Sequence, residues 1–288
     1  MQRLPEYLKR PIIDTEKTKK VRHILKNKCL NTVCEGARCP NKSECYARDT
    51  ATFLIMGKVC TRNCRYCNIK TAKPEPLDLS EPKHIAEAVK ELGLNYVVIT
   101  SVTRDDLKDG GAEHFANCIK EIRNVKPNTK VEILTPDFRG KKEALDVIIK
   151  SKPDVFNHNI ETVEALFKTA RPQGNYRCSL DVLRYIKDNS DIITKSGLMV
   201  GLGESLNEIE RTLVDLKDAG VDIITAGQYI QPSKEHLPVA KYYTLEEFEE
   251  LRNLAKRIGF KNYQIAPLVR SSYKAAISWD REARTHCC

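Results

Sequence analysis

From residue 51 onward, the chain alternates short apolar runs with stretches in which apolar residues recur at helical spacing. Apolar runs of four to eight residues are typical of strands buried on both faces. Two helical series precede a glycine, a residue that commonly ends helices: Ile85, Ala88, Val89 and Leu92, and Ile209, Leu213 and Leu216. This alternation predicts parallel strands joined by crossover helices. The predicted strands cover residues 51–57, 96–101, 130–135, 154–158, 194–202, 222–228 and 263–268.

Strand and helix units repeated in this way form barrels, and we expect an α/β protein built as a partial (β/α)6 barrel of the TIM type. A chain of 288 residues can hold one such domain with extensions. We expect an N-terminal extension over residues 1–50, the barrel over residues 51–268 and a C-terminal extension over residues 269–288. These barrels carry their chemistry on the loops after the strands. The loop at Cys60 follows the first predicted strand and marks the expected catalytic end.

The composition adds an expectation of metal binding. The chain contains eleven cysteines, with no apolar signal segment near Met1 and no apolar run that could cross a bilayer. We therefore expect a cytoplasmic protein without a membrane partner. Clustered cysteines in a reducing compartment are metal ligands or catalysts rather than disulfides. The net charge of +9 fits a soluble surface first and an acidic partner second. Since no nucleic-acid module signature occurs, we expect no nucleic-acid partner.

Three cysteines form a C-x3-C-x2-C motif in one short segment. Cys60, Cys64 and Cys67 can grip three corners of a cubane cluster and leave the fourth iron without a protein ligand. An open metal position is what catalysis requires. This spacing resembles the signature of the radical S-adenosylmethionine (radical SAM) superfamily. The resemblance implies that the amino and carboxylate groups of the cofactor chelate the open iron, and that one electron then releases a 5'-deoxyadenosyl radical.

A second triad, Cys34, Cys39 and Cys45, has the narrower spacing C-x4-C-x5-C. Together with the segment Arg-Ser-Ser-Tyr-Lys-Ala that begins at Arg270, it resembles the lipoyl synthase family. That resemblance implies an auxiliary cluster held by the three cysteines and a serine, and we assign Ser272. Ser271 is the second choice, and helix N-capping is the structural alternative for both serines. An alkoxide matches iron more weakly than a thiolate does, so that corner should open easily.

The resemblance implies a sulfurtransferase with two 4Fe-4S clusters and S-adenosylmethionine. Two sulfur atoms would be inserted at C6 and C8 of an octanoyl group on a lysine of a lipoyl carrier domain, and the auxiliary cluster would be consumed as the sulfur source. The implied carriers are the E2 subunit of a dehydrogenase complex or the glycine cleavage H protein. An electron donor such as ferredoxin or flavodoxin and an iron-sulfur carrier that rebuilds the auxiliary cluster would be further partners.

The resemblance also implies cofactor contacts. Gly110 and Gly111 would approach the methionyl amine through the backbone, and Arg171 could meet the cofactor carboxylate in a bidentate fork. Each residue has a structural alternative: packing for the tyrosine, turn geometry for the glycines, a surface position for the arginine, and saturation of buried strand ends for polar residues such as His158. The predicted cofactor-binding residues are Tyr66, Gly110, Gly111, Asn159, Arg171, Gly201 and Gln228.

Other classes of protein compete with this interpretation. Structural zinc is the rival for both triads, although zinc sites prefer paired C-x2-C motifs and the chain has one. The sequence also leaves open a biotin synthase relative, a non-enzymatic iron-sulfur carrier and a basic nucleic-acid binder. Cys118 and Cys178 fall in predicted helices and are expected to be core or boundary residues. No role is predicted for Cys29 or for residues 287 and 288, which are both cysteines.

Overall fold

A computed structural model of the chain describes the backbone of residues 3–286 and the side chains of residues 3–280. Residues 287 and 288 therefore lie outside the described residues. The chain divides into two compact units. We call residues 10–62 and 68–154 the N-terminal unit, and residues 3–9, 63–67 and 155–286 the C-terminal unit. Within residues 3–286, every helix is too short or too polar to cross a membrane.

The N-terminal unit contains a sheet in the order β1, β2, β5, β6, in which β1 is antiparallel to β2 and the other neighbours are parallel. Val97, Val98 and Ile99 on β5 are buried, as expected for a strand covered on both faces. A separate parallel pair is formed by β4 and β3, and β3 ends at the first cysteine of the C-x3-C-x2-C motif. The strands are β1 (Asn31–Thr32), β2 (Thr52–Ile55), β3 (Val59–Cys60), β4 (Lys70–Thr71), β5 (Tyr96–Ser101) and β6 (Lys130–Leu134).

Helices of the N-terminal unit bury one apolar face each. In α4 the predicted series Ile85, Ala88, Val89 is fully buried, and Gly93 follows the helix with a φ of 69°. Burying an Ile or Leu side chain stabilises a fold by about 1.5–3 kcal/mol, so this face fixes α4 on the sheet. The helices are α1 (Glu16–Asn27), α2 (Val33–Gly36), α3 (Lys42–Ala47), α4 (Glu81–Glu91), α5 (Ala112–Val125) and α6 (Lys142–Ser151), with a 3-10 turn at Phe138–Gly140.

The C-terminal unit contains a parallel sheet in the order β7, β8, β9, β10. All six residues of β9 are buried, and the predicted series on α9, Ile209, Leu213 and Leu216, is buried as well. The strands are β7 (Val155–Asn157), β8 (Ile193–Val200), β9 (Ile223–Gln228) and β10 (Asn262–Ile265). The helices are α7 (Glu164–Ala170), α8 (Tyr176–Asn189), α9 (Leu206–Asp218), α10 (Leu245–Ile258) and α11 (Ala275–His286), with a 3-10 turn at Glu6–Leu8.

Each of the seven predicted strands is present, and the prediction for residues 96–101 matches β5 at both ends. Five predicted strands end one to three residues earlier in the structure, and two of these ends, at Ile55 and Val200, have a clear cause. The reason is backbone geometry, because the next residues, Met56 with a φ of 66° and Gly201 with a φ of 102°, adopt left-handed conformations that leave a sheet. Both strands end next to predicted functional residues, because Met56 precedes the loop of Cys60 and Gly201 is itself a predicted cofactor-binding residue.

Candidate active site

The first cysteine of the C-x3-C-x2-C motif lies in the N-terminal unit at the end of β3. The Cys60 sulfur accepts hydrogen bonds from the backbone N–H groups of Thr103, at 3.3 Å, and Arg62, at 3.4 Å. The Thr61 N–H also donates to the Thr103 carbonyl, at 3.1 Å. Hydrogen bonds to a ligating sulfur stabilise its negative charge and tune the potential of a cluster. Two N–H donors therefore point at the Cys60 sulfur, and its role as a cluster ligand stays a prediction.

Arg62, two residues further on, has a buried guanidinium. Its nitrogens donate to both carboxylate oxygens of Asp105, at 2.7 and 2.9 Å, and of Asp137, at 2.7 Å each. Burial alone would lower the pKa of Arg62, but the two carboxylates raise it above its ordinary value. Burial likewise opposes ionisation of Asp105, and the hydrogen bonds from Arg62 and Arg139 outweigh it and lower the Asp105 pKa. The loop that carries Cys60 is therefore anchored by ion pairs from Arg62 to two carboxylates.

The other two cysteines of the motif lie in the C-terminal unit, with partly exposed thiols. The Cys67 N–H donates to the Cys64 carbonyl at 3.0 Å, which closes a turn. Between them, the Arg65 N–H donates to the Ala170 carbonyl and the Arg65 carbonyl accepts from the Leu237 N–H, both at 2.9 Å. Backbone bonds on both sides thus fix the direction in which this turn presents its thiols.

Tyr66 lies in the same turn, next to charged residues of the C-terminal unit. Burial raises the Tyr66 pKa well above its ordinary value, and the charge of Glu161 adds to this while Arg171 opposes it. Burial also raises the pKa of Glu161, although Arg171, Arg270 and a hydrogen bond from Asn159 favour its carboxylate. Glu161 has a φ of 71°, a conformation that is strained for a residue with a side chain. Such strain is concentrated at functional positions.

Asn159 lies at the centre of this group. Its Nδ2 donates to Glu161 Oε1 at 3.3 Å and to Ser271 Oγ at 3.4 Å, and its carbonyl accepts from Arg171 at 3.2 Å. Its Oδ1 is buried and has no hydrogen-bond partner within residues 3–280. A buried acceptor without a partner costs about 1–3 kcal/mol. A ligand amine or hydroxyl would satisfy it, so this cradle fits the polar groups of S-adenosylmethionine.

The structure excludes the structural alternative for Arg171 and supports the one for His158. Arg171 is 7% exposed, and its guanidinium lies over the Phe167 ring. The surface alternative for Arg171 is therefore wrong. His158, by contrast, is buried with its Nε2 at 3.0 Å from Ser179 Oγ, which fits saturation of a buried strand end.

Gly110 and Gly111 form the turn before α5, with φ values of 64° and 94°. A Cβ on Gly111 would lie 2.3 Å from the Met56 sulfur, and one on Gly110 would lie 3.1 Å from the Phe138 ring. A side chain at either position would therefore meet close neighbours, which explains why the turn contains glycine at both. Asp109 fixes the turn by accepting from the Gly111 N–H at 3.0 Å. The turn exists as predicted, and its contact with the cofactor stays a prediction.

Gly201 and Gln228 contact each other. A Cβ on Gly201 would lie 2.2 Å from Gln228 Nε2 and 2.4 Å from the Lys241 carbonyl oxygen. The Gln228 amide donates to the carbonyls of Val200, Tyr229 and Lys241, and its oxygen accepts from the Tyr243 N–H at 2.9 Å. These bonds give the Gln228 side chain a structural role. The contact of both residues with the cofactor stays a prediction.

The second cysteine triad lies in the N-terminal unit, with Cys34 on α2, Cys45 on α3 and Cys39 in the segment between these helices. Burial raises the pKa of Cys34 to about 11, the Cys39 charge raises it further, and hydrogen bonds from Thr52 oppose the rise. Burial raises the pKa of Cys45 to about 12, again with contributions from Cys34 and Cys39. Backbone hydrogen bonds join the three cysteines locally, because the Cys39 N–H donates to the Cys34 carbonyl at 3.1 Å and the Lys42 N–H, at the start of α3, donates to the Cys39 carbonyl at 3.2 Å. Because thiolates are costly in this setting without a cation, the donor set fits a metal cluster.

Ser271 and Ser272 lie in the turn that leads into α11, and both are partly buried. The Ser271 hydroxyl accepts from Asn159. Ser272 makes no hydrogen bond through its hydroxyl within the part of the chain that the structure describes. Within residues 3–286, no group of three or more His, Cys, Asp and Glu side chains is arranged around a single metal ion. A cubane engages each thiolate through a different iron, so its ligands need not converge on one point as zinc ligands do.

Three residues of this region were not singled out from the sequence. Glu161 occurs in a segment that the resemblance covers, but its left-handed backbone has no sequence signal. Arg62 lies within the cysteine motif, and its charge between two predicted ligands was a signal from which a role could have been predicted. His236 lies 169 residues from Cys67 in sequence, yet its Nε2 is 3.0 Å from the Cys67 carbonyl oxygen, which no local pattern could indicate. Of the remaining cysteines, Cys118 is buried on α5, as predicted, and Cys29 is exposed.

Comparison with solved structures supports the fold. The chain resembles SuiB of Streptococcus suis bound to S-adenosylmethionine, with a TM-score of 0.57, 14% identity, and coverage of 77% of this chain and 54% of that one. It spans about half the length of SuiB. It also resembles the hydrogenase maturase HydG (TM-score 0.58, 15% identity, 87% and 56% coverage) and methylornithine synthase PylB (TM-score 0.52, 14% identity, 89% and 84% coverage). At such identities the likeness concerns the fold alone, and it confirms the predicted α/β class.

Comparison of sequences identifies the family. The family model described as the radical SAM superfamily matches residues 54–216. The lipoyl synthase of Caldicellulosiruptor saccharolyticus is 52% identical over 272 residues, covering 94% of this chain and 95% of that protein. The lipoyl synthase of Caldicellulosiruptor bescii is 52% identical over 272 residues, covering 94% of each. Identity of this extent over nearly the whole length shows that the chain belongs to the lipoyl synthase family of radical SAM enzymes.

Proposed function

We propose that the protein inserts two sulfur atoms at C6 and C8 of an octanoyl group attached to a lysine of a lipoyl carrier domain. The observation that carries this proposal is the second triad, in which Cys34, Cys39 and Cys45 lie on two short helices and the turn between them, joined by backbone hydrogen bonds. A radical SAM enzyme needs one cluster to generate its radical. A second group of three cysteines in the same chain, one buried and two partly exposed, calls for a second role, and donation of sulfur fits it.

The first cluster would be held by Cys60, Cys64 and Cys67, with S-adenosylmethionine on the open iron. Bound together, they would supply a 5'-deoxyadenosyl radical, a species able to remove hydrogen from methylene carbons that acid-base groups cannot activate. The role of this chain's own residues would be to bind and orient the cofactor. Asn159 offers a buried acceptor to the cofactor, and Arg171, which is nearly inaccessible to water, offers a guanidinium for its carboxylate. Tyr66, Gly110, Gly111, Gly201 and Gln228 are the other residues to which we assign cofactor contacts.

The second 4Fe-4S cluster would be held by Cys34, Cys39, Cys45 and Ser272. We choose Ser272 over Ser271 because the Ser271 hydroxyl is engaged by Asn159. Sulfide from this cluster would leave with the product, so its ligands must release iron, and an alkoxide corner would open most easily. This assignment gives residues 1–50 and 269–288 a shared role as extensions that carry ligands around a barrel at residues 51–268.

The partners follow from this chemistry. The substrate would be an octanoylated carrier domain, from a dehydrogenase E2 subunit or a glycine cleavage H protein. Each radical requires one electron, so a donor such as ferredoxin or flavodoxin is needed. Because the second cluster is consumed, repeated turnover requires an iron-sulfur carrier that rebuilds it.

The proposal is tested with anaerobically reconstituted full-length protein, reductant, S-adenosylmethionine and an octanoyl-lysine peptide. We expect 5'-deoxyadenosine and a peptide whose mass has increased by two sulfur atoms. Cys45→Ser should still form 5'-deoxyadenosine and should add no sulfur. Cys178→Ser, a change of the same kind on α8, should behave like the unaltered protein. Sulfur insertion by Cys45→Ser at the normal yield would contradict the proposal.

A further inference from the structure

We propose that Arg62 is a positioning residue that holds the Cys60 end of the cluster loop and the Gly110–Gly111 turn in one fixed arrangement, through its ion pairs with Asp105 and Asp137. The inference deepens the proposed function, because it rests on Cys60 as a cluster ligand and on the glycine turn as a cofactor contact. It assigns Arg62 a part in the reaction without contact to substrate, cofactor or iron.

All three guanidinium nitrogens of Arg62 donate to carboxylate oxygens. The Arg62 guanidinium makes two hydrogen bonds to each carboxylate, all between 2.7 and 2.9 Å. The side chains of Arg62 and Asp137 are each 3% exposed, and that of Asp105 is 14% exposed. Buried ion pairs recover their cost of dehydration only when geometry and hydrogen bonding are this good. Few residues other than arginine could join two carboxylates through fork-like pairs.

On one side, the network is connected directly to Cys60. The Arg62 backbone N–H points at the Cys60 sulfur, and the Arg62 carbonyl accepts from Thr71 Oγ1 at 2.9 Å. The Asp105 N–H donates to Thr61 Oγ1 at 3.1 Å. Thus Asp105 binds the Arg62 side chain through its carboxylate and Thr61, the residue between Cys60 and Arg62, through its backbone N–H. Movement of the Arg62 guanidinium would therefore also move the backbone N–H group that donates to the Cys60 sulfur.

On the other side, the network reaches the glycine turn. The Asp137 carboxylate, besides binding Arg62, accepts from the Arg139 N–H at 2.9 Å and so caps the 3-10 turn Phe138–Gly140. Phe138 and Arg139 have φ values of 46° and 55°, which side-chain-bearing residues adopt only when held. The Phe138 ring lies against Gly110, whose Cβ position would be 3.1 Å from it. Asp137 therefore fixes the position of the Phe138 ring, which packs against the Gly110–Gly111 turn.

A network that served folding alone would behave differently from one that positions these loops. Removal of a folding contact lowers the amount of intact protein and leaves the chemistry per intact protein unchanged. Removal of a positioning contact leaves a folded protein with a loosened Cys60 loop and glycine turn. The two cases are separated by measurements made per intact cluster and by hydrogen-deuterium exchange at sites remote in sequence from residue 62.

We would compare Arg62→Lys, Arg62→Gln and Asp137→Asn with Arg123→Gln in reconstituted full-length protein. Arg123 lies on α5 in the same unit, where it donates to the carbonyls of Ser151 and Lys152. We expect faster deuterium uptake at residues 103–106 and 137–140 in all three test variants. We also expect a KM for S-adenosylmethionine raised at least about tenfold, a change of about 1.4 kcal/mol, measured as 5'-deoxyadenosine formed per intact cluster without carrier peptide.

Each result decides the proposal. Because lysine cannot join both carboxylates, the KM of Arg62→Lys should be raised as that of Arg62→Gln is. If the Arg62 variants fold poorly, Asp137→Asn provides the test. Unchanged uptake at residues 137–140 together with an unchanged KM in Asp137→Asn would overturn the positioning role. If the unaltered protein cleaves the cofactor but adds no sulfur to the carrier peptide, the proposed function fails while the role of Arg62 is still decided, because its readouts do not involve sulfur.

Discussion

The His236 imidazole lies 3.0 Å from the carbonyl oxygen of Cys67, the last ligand of the predicted radical-generating cluster. A carbonyl oxygen can only accept, so His236 Nε2 carries the hydrogen. The other ring nitrogen lies 2.8 Å from Ser233 Oγ, and Leu237, the next residue, donates to Arg65. The loop after β9 therefore holds the cysteine turn through one side chain and one backbone bond.

His236→Ala should weaken the hold on Cys67. A single hydrogen bond contributes about 1 kcal/mol net, so we expect iron release to a chelator to become about fivefold faster. The measurement is the loss of iron absorbance with time in anaerobic reconstituted protein. His23→Ala, on the exposed face of α1, is the matched control and should leave the rate unchanged. Equal rates for both variants would contradict this role of His236.

Gly111→Ala should be far more damaging than Gly93→Ala. Both glycines have positive φ values, 94° and 69°, so each substitution carries about 1–2 kcal/mol of backbone strain. A Cβ at Gly93 meets nothing within 4 Å, whereas one at Gly111 would lie 2.3 Å from the Met56 sulfur. Overpacking adds about 1–3 kcal/mol. Urea unfolding of the two full-length variants should show this difference in the free energy of unfolding.

The excess should depend on Met56. If the clash with its side chain is the cause, Met56→Ala should recover part of the loss in Gly111→Ala and should destabilise the unaltered protein. A double-mutant cycle measures this coupling. Additive effects of the two substitutions would show that the close approach is not what requires glycine.

Asp105 should make stability depend on pH in the acid range. Its folded-state pKa lies below the ordinary value because Arg62 and Arg139 outweigh burial, so the folded state binds fewer protons than the unfolded state. The stabilisation is present above about pH 4, the ordinary aspartate pKa, and is lost as pH falls through the lowered pKa. Asp105→Asn should destabilise the chain at neutral pH and flatten this part of the profile. A profile that keeps its acid slope in Asp105→Asn would contradict the prediction.

Ser271 and Ser272 should differ although they are adjacent and chemically identical. With Ser272 as the cluster ligand, Ser272→Ala should lower sulfur insertion by at least about tenfold and leave 5'-deoxyadenosine formation intact. Ser271→Ala removes only an acceptor for Asn159 and should retain sulfur insertion. Peptide mass and iron content per chain are the measurements. The reverse order of effects would assign the ligand to Ser271.

Sequence patterns predicted what is local in the chain. Both cysteine triads are spaced within single short segments, and strands such as β5 were predicted because an apolar run needs no distant partner. The Asn159–Ser271 contact joins residues 112 positions apart, and the buried state of Arg171 depends on Phe167 and neighbouring backbone rather than on its own identity. Strand ends at Ile55 and Val200 were misplaced because left-handed residues leave no apolar signal.

The central claim is that the cluster held by the second triad supplies the sulfur, and an isotope measurement tests it most directly. The full-length protein would be reconstituted with isotopically heavy sulfide, freed of unbound sulfide, and supplied with S-adenosylmethionine, reductant and octanoyl-lysine peptide. We predict a product that carries two heavy sulfur atoms, formed in at most one turnover per chain, and no such product from Cys34→Ser or Cys45→Ser. Product containing only light sulfur, or heavy product in normal yield from those variants, would contradict the account.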